Sequence, residues 1–228
     1  APVLELWEEK LASIAEDLRM LKHRSRCRAE VFKCDSRCNS EFLKPRSVDI
    51  VFTSPPYPNE KDYTRTTRLE SVILGFIRSK AELRQLKKGL VRSNTRSVYK
   101  EDADDAWISE NEDVLHLAET IEARRIKLGK TSGFERMYPR VAKLYFGGMA
   151  RHLASLKTVL RPGAKLAYVV GDQASYLRVM IRTGQVLADI ATSLGYEVVD
   201  IELFRSRPAT ATGEQLREEV LVLEWPGE

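Results

Sequence analysis

One segment limits the possible folds more than any other. The run Val48-Asp49-Ile50-Val51-Phe52-Thr53 is rich in β-branched and aromatic residues and stops at Ser54-Pro55-Pro56-Tyr57. Such a run favours a buried β-strand. Because proline fixes φ and has no backbone N–H to donate, two consecutive prolines cannot continue a central strand. We therefore expect the chain to leave the sheet at Ser54 in a stiff turn that presents Tyr57.

Strands and amphipathic helices are predicted to alternate along the chain. Apolar residues three to four apart predict helices over 4–21, 66–90, 111–128, 138–160 and 180–194. Strands are predicted at 29–34, 48–53, 164–170, 196–205 and 219–225, the last two as a hairpin. This order predicts an α/β protein with a doubly wound sheet.

The predicted elements divide the chain into four parts. Residues 1–28 form an N-terminal helix with a basic linker, and 29–90 form the first part of an α/β domain. Residues 91–136 break the alternation, and we interpret them as an insertion over the functional face. Residues 137–228 complete the domain.

Composition limits the class of protein only broadly. With 228 residues, 43% of them hydrophobic, the chain is long enough for one sizeable core. No apolar run approaches the ~20 residues of a membrane span, and the start does not resemble a secretory signal. The net charge of +4 permits nucleic-acid binding without implying it. Three cysteines, an odd number, favour a reducing compartment, so we expect a cytoplasmic protein.

The cysteines raise the question of a metal site. His23, Cys27, Cys34 and Cys38 could be taken for four zinc ligands. Structural zinc sites usually pair ligands two to four residues apart on tight turns, which this spacing does not do. We expect ordinary thiols and no metal.

The residue types at 54–57 suit a site that holds a planar amine. The Ser54 hydroxyl and the Pro55 carbonyl can both accept hydrogen bonds from an NH2 group, and Tyr57 offers a ring face on which an extruded base can stack. An exocyclic amine is a poor nucleophile because its lone pair is delocalised, so acceptors that stabilise charge developing on nitrogen would assist its methylation. The alternative is an ordinary loop with a surface tyrosine.

A resemblance to a known family rests on these residues. Thr53-Ser54-Pro55-Pro56-Tyr57 resembles the catalytic motif of the S-adenosylmethionine-dependent DNA amino-methyltransferases, which modify cytosine at N4 or adenine at N6. The likeness covers most of 29–75, with Cys34 where glycine is usual, and most of 137–225. It implies a Rossmann-like class I methyltransferase sheet, S-adenosyl-L-methionine as cofactor and DNA as partner. It also implies catalytic roles for Ser54, Pro55, Pro56 and Tyr57, and cofactor binding by Asp35, Thr53 and Ser54. Serine in the first motif position favours N4-cytosine.

The family's glycine-rich cofactor loop, of the Phe-x-Gly-x-Gly kind, does not occur in this sequence. The chain is therefore one part of a split enzyme, a fragment of a longer polypeptide, or a subunit that cannot bind cofactor alone. Mapped onto the family's fold, it lacks the first two strands, which lie between those predicted at 29–34 and 48–53. Because unpaired backbone groups inside a sheet are costly, another chain or a missing segment is expected to supply these strands and the loop.

Basic residues of the insertion are candidates for contacts with DNA phosphates, since phosphate binding needs positive charge on one face rather than a motif. These candidates are Arg92, Arg96, Arg124, Arg125, Lys127 and Lys130, and the hairpin residues 205–208 could border the same cleft. The alternative is a solvated helix face. Three functions remain open at this point: a DNA methyltransferase, an RNA or protein-amide methyltransferase, and a non-catalytic subunit that binds nucleic acid or a partner.

Overall fold

The computed structural model describes residues 2–24, 28–58, 63–209 and 213–227, in two compact units. The first unit spans residues 1–33 and the second spans 34–228. In the first, helix α1 (Val3–Leu21) continues into a 3-10 turn over Lys22–Arg24, which confirms the predicted N-terminal helix. The apolar side chains of α1, Trp7 and Leu18 among them, are exposed.

The second unit contains the sheet and six α-helices within the described residues. The helices are α2 (Tyr63–Thr66), α3 (Arg68–Ile73), α4 (Lys80–Lys88), α5 (Glu112–Lys127), α6 (Gly133–Lys157) and α7 (Thr183–Ser193). The strands are β1 (Val48–Thr53), β2 (Leu160–Gly171), β3 (Glu197–Pro208) and β4 (Gln215–Trp225). Short 3-10 helices lie at Asn39–Glu41, Thr95–Ser97 and Asp104–Ile108. No helix in the described ranges combines the length and apolar character that crossing a bilayer requires.

The four strands form one sheet in the order β1-β2-β4-β3. Strands β1 and β2 are parallel, with Thr53 opposite Tyr168, so their carboxyl ends lie at the same edge of the sheet. Strand β4 is antiparallel to both β2 and β3, and β3 and β4 form the predicted final hairpin. The α/β class is therefore confirmed.

The strand predicted at 29–34 is wrong, because these residues have no regular secondary structure. A strand persists only where neighbouring strands satisfy its backbone groups. In the resembled fold, the neighbours of this segment are the strands that the chain lacks. Within the described residues β1 pairs with β2 alone, which leaves its outer edge open.

The single helix predicted over 66–90 is also wrong, because the segment divides into α2, α3 and α4. Helix α3 is followed by Gly75 at a φ of +74°, a left-handed conformation that favours glycine and breaks the helix. Helix α4 begins directly after its N-cap residue Ser79, whose side chain accepts a hydrogen bond from the Glu82 backbone N–H at 3.1 Å.

Helix α6 is the centre of the core. Ser132 caps its first turn, and its middle carries fully buried side chains such as Tyr145 and Phe146. At Gly147 the backbone of Asp104 approaches so closely that a methyl group on the glycine would lie 2.0 Å from the Asp104 carbonyl oxygen. Gly147 therefore allows the 3-10 turn of the 91–136 segment to pack directly on α6.

Candidate active site

The Ser-Pro-Pro-Tyr turn follows β1 at the edge where β1 and β2 end together. Crevices outside the carboxyl ends of parallel strands are the usual ligand sites of α/β sheets. The Ser54 hydroxyl donates to the carbonyl oxygen of Val169 on β2 at 3.2 Å. The turn is thereby attached to the neighbouring strand, and the oxygen of Ser54, an exposed residue, keeps lone pairs with which to accept a hydrogen bond.

The ring of Tyr57 lies against the last residue of β2. A methyl group placed on Gly171 would lie 2.7 Å from Cε2 and 3.1 Å from Cδ2 of Tyr57. Gly171 thus provides the space in which the half-buried ring is held. Because this contact joins residues far apart in the chain, the sequence alone contains no sign of it.

One buried tyrosine interacts electrostatically with Tyr57 of this turn. Tyr145 of α6 is fully buried, and its hydroxyl has no hydrogen-bond partner within the described chain. Burial raises the pKa of Tyr145, and the nearby hydroxyls of Tyr57, Tyr176 and Tyr63 raise it further. The Tyr145 phenol is therefore neutral at physiological pH.

An ion cluster supports the end of β2 directly behind Gly171. Asp172 is almost fully buried, and its Oδ2 accepts from Arg182 Nη1, from the Arg217 backbone N–H at 3.2 Å and from Arg217 Nε at 3.3 Å. Arg217 also pairs with Glu219 at 3.1 Å. Burial raises the pKa of Glu219 although Arg217 opposes the shift. The cluster ties β2 to β4 and to Arg182 at the start of α7.

Asp35, predicted to bind cofactor, is held in an ion pair. Its carboxylate accepts from the backbone N–H of Arg37 and from Arg37 Nε, both at 2.9 Å. The same guanidinium reaches Asp104 of the 91–136 segment. Burial raises the pKa of Asp35, but the hydrogen bonds and charge of Arg37 outweigh it and hold the pKa below its usual value. Asp35 is thus ionised and linked to the insertion.

His152 joins the Asp35 segment to the sheet, a role that could not be predicted from the sequence pattern. Its Nδ1 lies 2.7 Å from the carbonyl oxygen of Ser36, and its Nε2 lies 2.8 Å from the Tyr168 hydroxyl. Burial lowers the pKa of His152, which favours the neutral ring. A neutral ring that donates from Nδ1 to the carbonyl and accepts at Nε2 satisfies both contacts.

The predicted phosphate contacts differ in their availability. Arg92 is buried, forms an ion pair with Asp102 and donates to the Lys87 and Lys88 carbonyls at the end of α4, so protein acceptors already occupy its guanidinium. The Arg125 side chain is largely buried and bound to Glu122 and to the Lys130 carbonyl. Arg96 and Lys127 are exposed, and Arg124 is half-buried.

The hairpin residue Arg205, considered above as a border of the DNA cleft, is held by its neighbouring strand. Arg205 of β3 forms an ion pair with Glu218 of β4. That pair raises the pKa of Arg205. The threonine-rich tip at 210–212 lies outside the described residues.

The cysteines form no metal centre in the part of the chain that the structure describes. Cys34 is exposed, whereas the sulfur of Cys38 lies 3.4 Å from Nη2 of Arg151. Cys27, one of the four residues considered as zinc ligands, lies outside the described residues.

The chain is similar in sequence to curated type II methyltransferases. It is 30% identical to methyltransferase M.AvaI of Nostoc sp. over 157 residues, which cover 67% of this chain and 32% of that protein. It is 25% identical over 242 aligned positions to methyltransferase M.BsoBI of Geobacillus stearothermophilus, covering 95% of this chain and 46% of that protein. The chain thus spans less than half the length of these relatives. No family model matches it.

Among solved structures, the chain is compared with a candidate DNA modification methylase of Thermus thermophilus. The form complexed with S-adenosyl-L-methionine gives a TM-score of 0.43 at 15% identity and covers 86% of this chain and 54% of that one. The selenomethionine derivative gives a TM-score of 0.41 at 14% identity and covers 86% of this chain and 52% of that one. The sequence matches, rather than this partial likeness, support a relation to type II methyltransferases.

Proposed function

We propose that this chain is the catalytic-loop part of an S-adenosyl-L-methionine-dependent DNA methyltransferase that modifies an exocyclic amine, N4 of cytosine in preference to N6 of adenine. One observation carries the proposal. Ser54-Pro55-Pro56-Tyr57 leaves the sheet where β1 and β2 end, and both ends of the turn are held by β2 through Val169 and Gly171. This is the rigidity that positioning a weak nucleophile requires.

Tyr57 binds the ring of the target base, and Ser54 and Pro55 bind its amine. The extruded base stacks on Tyr57, which offsets part of the cost of flipping, a few kcal/mol. The amine then donates its hydrogens to the Ser54 hydroxyl and the Pro55 carbonyl. These acceptors stabilise positive charge as nitrogen attacks, and they aim the lone pair at the methyl donor. Bound S-adenosyl-L-methionine supplies an electrophilic methyl group on its sulfonium. The choice of N4-cytosine follows the serine in the first motif position.

The chain's own residues fit only part of a cofactor site. Thr53 and Ser54 at the end of β1, and the ionised Asp35, are the residues we assign to cofactor contacts. A methionine group also needs a close approach of backbone, which the family obtains from its glycine-rich loop. We therefore assign that loop to a second chain or to a further segment of the same polypeptide.

The exposed apolar surface around β1 supports this division. Ile50 and Phe52 are 72% and 76% exposed although both belong to a strand of the sheet. Helix α3 also exposes Leu69, Val72 and Ile73. An open edge flanked by such side chains is a ready template for another strand. The proposed occupant is the missing strand pair together with its glycine-rich loop.

DNA contacts are proposed for the available cations of the 91–136 segment. Arg96 and Lys127 are exposed, and Arg124 is half-buried. Such contacts fix the position of the duplex without reading its sequence.

The test measures cofactor binding and methyl transfer separately. S-adenosyl-L-methionine is titrated calorimetrically into the chain alone and together with a co-expressed glycine-rich-loop component. Transfer of labelled methyl groups to duplex DNA is then measured for the assembled enzyme, for its Ser54→Ala variant, and for Ser47→Ala as a control. The Ser47 hydroxyl bonds the Lys44 carbonyl at 2.7 Å before β1 begins. Equal methyl transfer in all three proteins would show that the turn takes no part in the reaction.

A further inference from the structure

Helix α1 carries an apolar stripe that the proposed function does not use. The stripe consists of Leu4, Trp7, Leu11, Ile14, Leu18 and Leu21. Its members are alternately three and four residues apart, which makes them the a and d positions of a heptad repeat. All of them are exposed, from 43% for Ile14 to 74% for Leu4. The whole stripe is therefore available for contact.

A stripe with this spacing favours another helix as its partner. An apolar pattern that repeats every seven residues stays in contact with a second helix when the two supercoil slightly around each other. Each side chain of one stripe then packs between side chains of the facing helix. Helices in proteins are stabilised mainly by packing of their apolar face. The 19-residue helix α1 would gain that packing from a partner helix.

The charges of α1 indicate which partner fits. Acidic residues gather in its first turns, at Glu5, Glu8 and Glu9. Basic residues gather at its end and in the following 3-10 turn, at Arg19, Lys22 and Arg24. Two antiparallel copies of α1 would place the acidic end of each beside the basic end of the other. Two parallel copies would place like charges together, which is unfavourable.

Antiparallel copies also bring the stripe into register with itself. The opposed side chains are Leu4 with Leu21, Trp7 with Leu18, and Leu11 with Ile14. Beside the stripe, at the g positions, Lys10 faces Asp17 of the second copy, and the twofold symmetry forms this pair twice. A symmetric dimer needs a surface that is complementary to itself. The apolar and the charged residues of α1 both meet this condition.

We propose that α1 joins two copies of this chain as an antiparallel helix pair. The apolar stripe supplies the contact area, and the separation of acidic from basic residues sets the orientation. The proposal does not depend on the proposed function, because it uses none of the residues assigned to methyl transfer. It predicts a dimer of the whole chain that forms without cofactor, DNA or another component.

Sedimentation equilibrium of the whole chain tests the pairing. The average mass should rise from one chain towards two over a roughly 100-fold range of concentration, as for a reversible dimer. Leu11→Gln removes an apolar side chain from the centre of the stripe in both copies, so it should weaken dimerisation at least about 10-fold. Leu6→Gln is the matched control, because Leu6 is an exposed leucine of α1 outside the stripe. A chain that stays monomeric, or a dimer weakened equally by both substitutions, overturns the proposal.

Charge reversal tests the orientation and leaves the apolar stripe intact. Lys10→Glu and Asp17→Lys each put like charges opposite each other, so each should weaken the antiparallel dimer about 2- to 10-fold. The variant with both substitutions should recover wild-type affinity. Neither residue has a charged neighbour three or four positions away on α1, so the helix itself should be little affected.

A parallel pair would respond differently to the double charge reversal. There Asp17 would lie beside Lys22 of the second copy, five positions further along, and the double variant would oppose two lysines. Failure of the double variant to recover therefore overturns the antiparallel arrangement.

A further variant separates this dimer from association through the open edge of β1. Ile50→Thr combined with Phe52→Thr changes that edge and leaves α1 unaltered. Dimerisation through α1 should persist in this variant and disappear in Leu11→Gln. The reverse result would place the contact between copies on the sheet and overturn the proposal. Methyl transfer, assayed separately, tests the proposed function whether or not the chain dimerises.

Discussion

Tyr57 and Gly171 share one packing position, since the tyrosine ring occupies the volume that a side chain at residue 171 would need. The contact joins the Ser-Pro-Pro-Tyr turn after β1 to the end of β2. It makes the orientation of the ring depend on a residue that bears no functional group.

Gly171→Ala is therefore expected to displace the Tyr57 ring. The added methyl would lie 2.7 Å from Cε2 of Tyr57, and overpacking of this kind costs about 1–3 kcal/mol. Urea unfolding should show the loss of stability, and methyl transfer by the assembled enzyme should fall with it. Gly133→Ala is the control, because a methyl there meets nothing within 4 Å. A Gly171→Ala variant as stable and active as Gly133→Ala would contradict the contact.

Tyr57→Ala and Ser54→Ala should fail in different ways. Loss of the ring removes the stacking of the extruded base, worth roughly 1–3 kcal/mol, so DNA binding should weaken along with turnover. Loss of the Ser54 hydroxyl should leave DNA affinity unchanged and slow the transfer step. Fluorescence anisotropy with duplex DNA and single-turnover methylation separate the two effects. The same defect in both variants would argue against the division of roles.

Arg92→Ala should lower the stability of the fold, whereas Arg96→Ala should change DNA binding. Arg92 is buried beside Asp102, and removing one partner of a buried pair costs about 3–5 kcal/mol. Arg96 is exposed, and if it contacts a phosphate its loss should reduce the salt dependence of DNA binding by about one ion. Thermal unfolding and binding at several salt concentrations test the pair. A stable Arg92→Ala variant would contradict the ion pair.

Asp35 and Glu219 should give opposite pH dependences. The pKa of Asp35 is lowered in the folded state, so its ionised form adds stability above its ordinary value of 3.8, and this is lost as the pH falls below it. The pKa of Glu219 is raised, so the folded state holds its proton more tightly and stability is lost as the pH rises above 4.5. At pH 7, Asp35→Asn should destabilise and Glu219→Gln should stabilise, as measured by urea unfolding between pH 2 and 8. Shifts of the same sign would contradict the assignment.

The open edge of β1 should govern association rather than folding. Ile50 and Phe52 are exposed in this chain, so replacing both by threonine should leave its free energy of unfolding within about 0.5 kcal/mol, as for surface substitutions in general. The double variant should fail to bind the component that carries the glycine-rich loop. Pull-down and sedimentation test this, with Val199→Thr on the far strand β3 as control. Wild-type assembly by the double variant would place the missing strands elsewhere.

The predictable parts of the fold were those encoded by local patterns. The apolar periodicity of α6 and the runs in β2 and β4 predicted elements that the structure confirms, because each is satisfied by neighbours within the same chain. The segment 29–34 has a strand-like sequence but no neighbouring strand to pair with, which is why the strand predicted there does not form. The break at Gly75 was missed because a single left-handed residue ends a pattern that otherwise looks helical.

The site was predictable only in part. Prolines and a tyrosine after a strand are visible in the sequence, and so is the charge of Arg92. Whether that charge is exposed depends on Asp102 and on backbone carbonyls at the end of α4, contacts that residue type does not reveal. The two contacts of His152 likewise join chain segments that lie far apart in the sequence.

The hydrogen bond from Ser54 to Val169 has a consequence for base identity. The single hydroxyl proton of Ser54 is donated to the Val169 carbonyl, so the hydroxyl can only accept a hydrogen bond from an incoming base. The Pro55 carbonyl also can only accept. Two acceptors bind an amino group and repel a keto oxygen. A site of this kind would therefore exclude uracil, the deaminated form of cytosine, before methyl transfer begins.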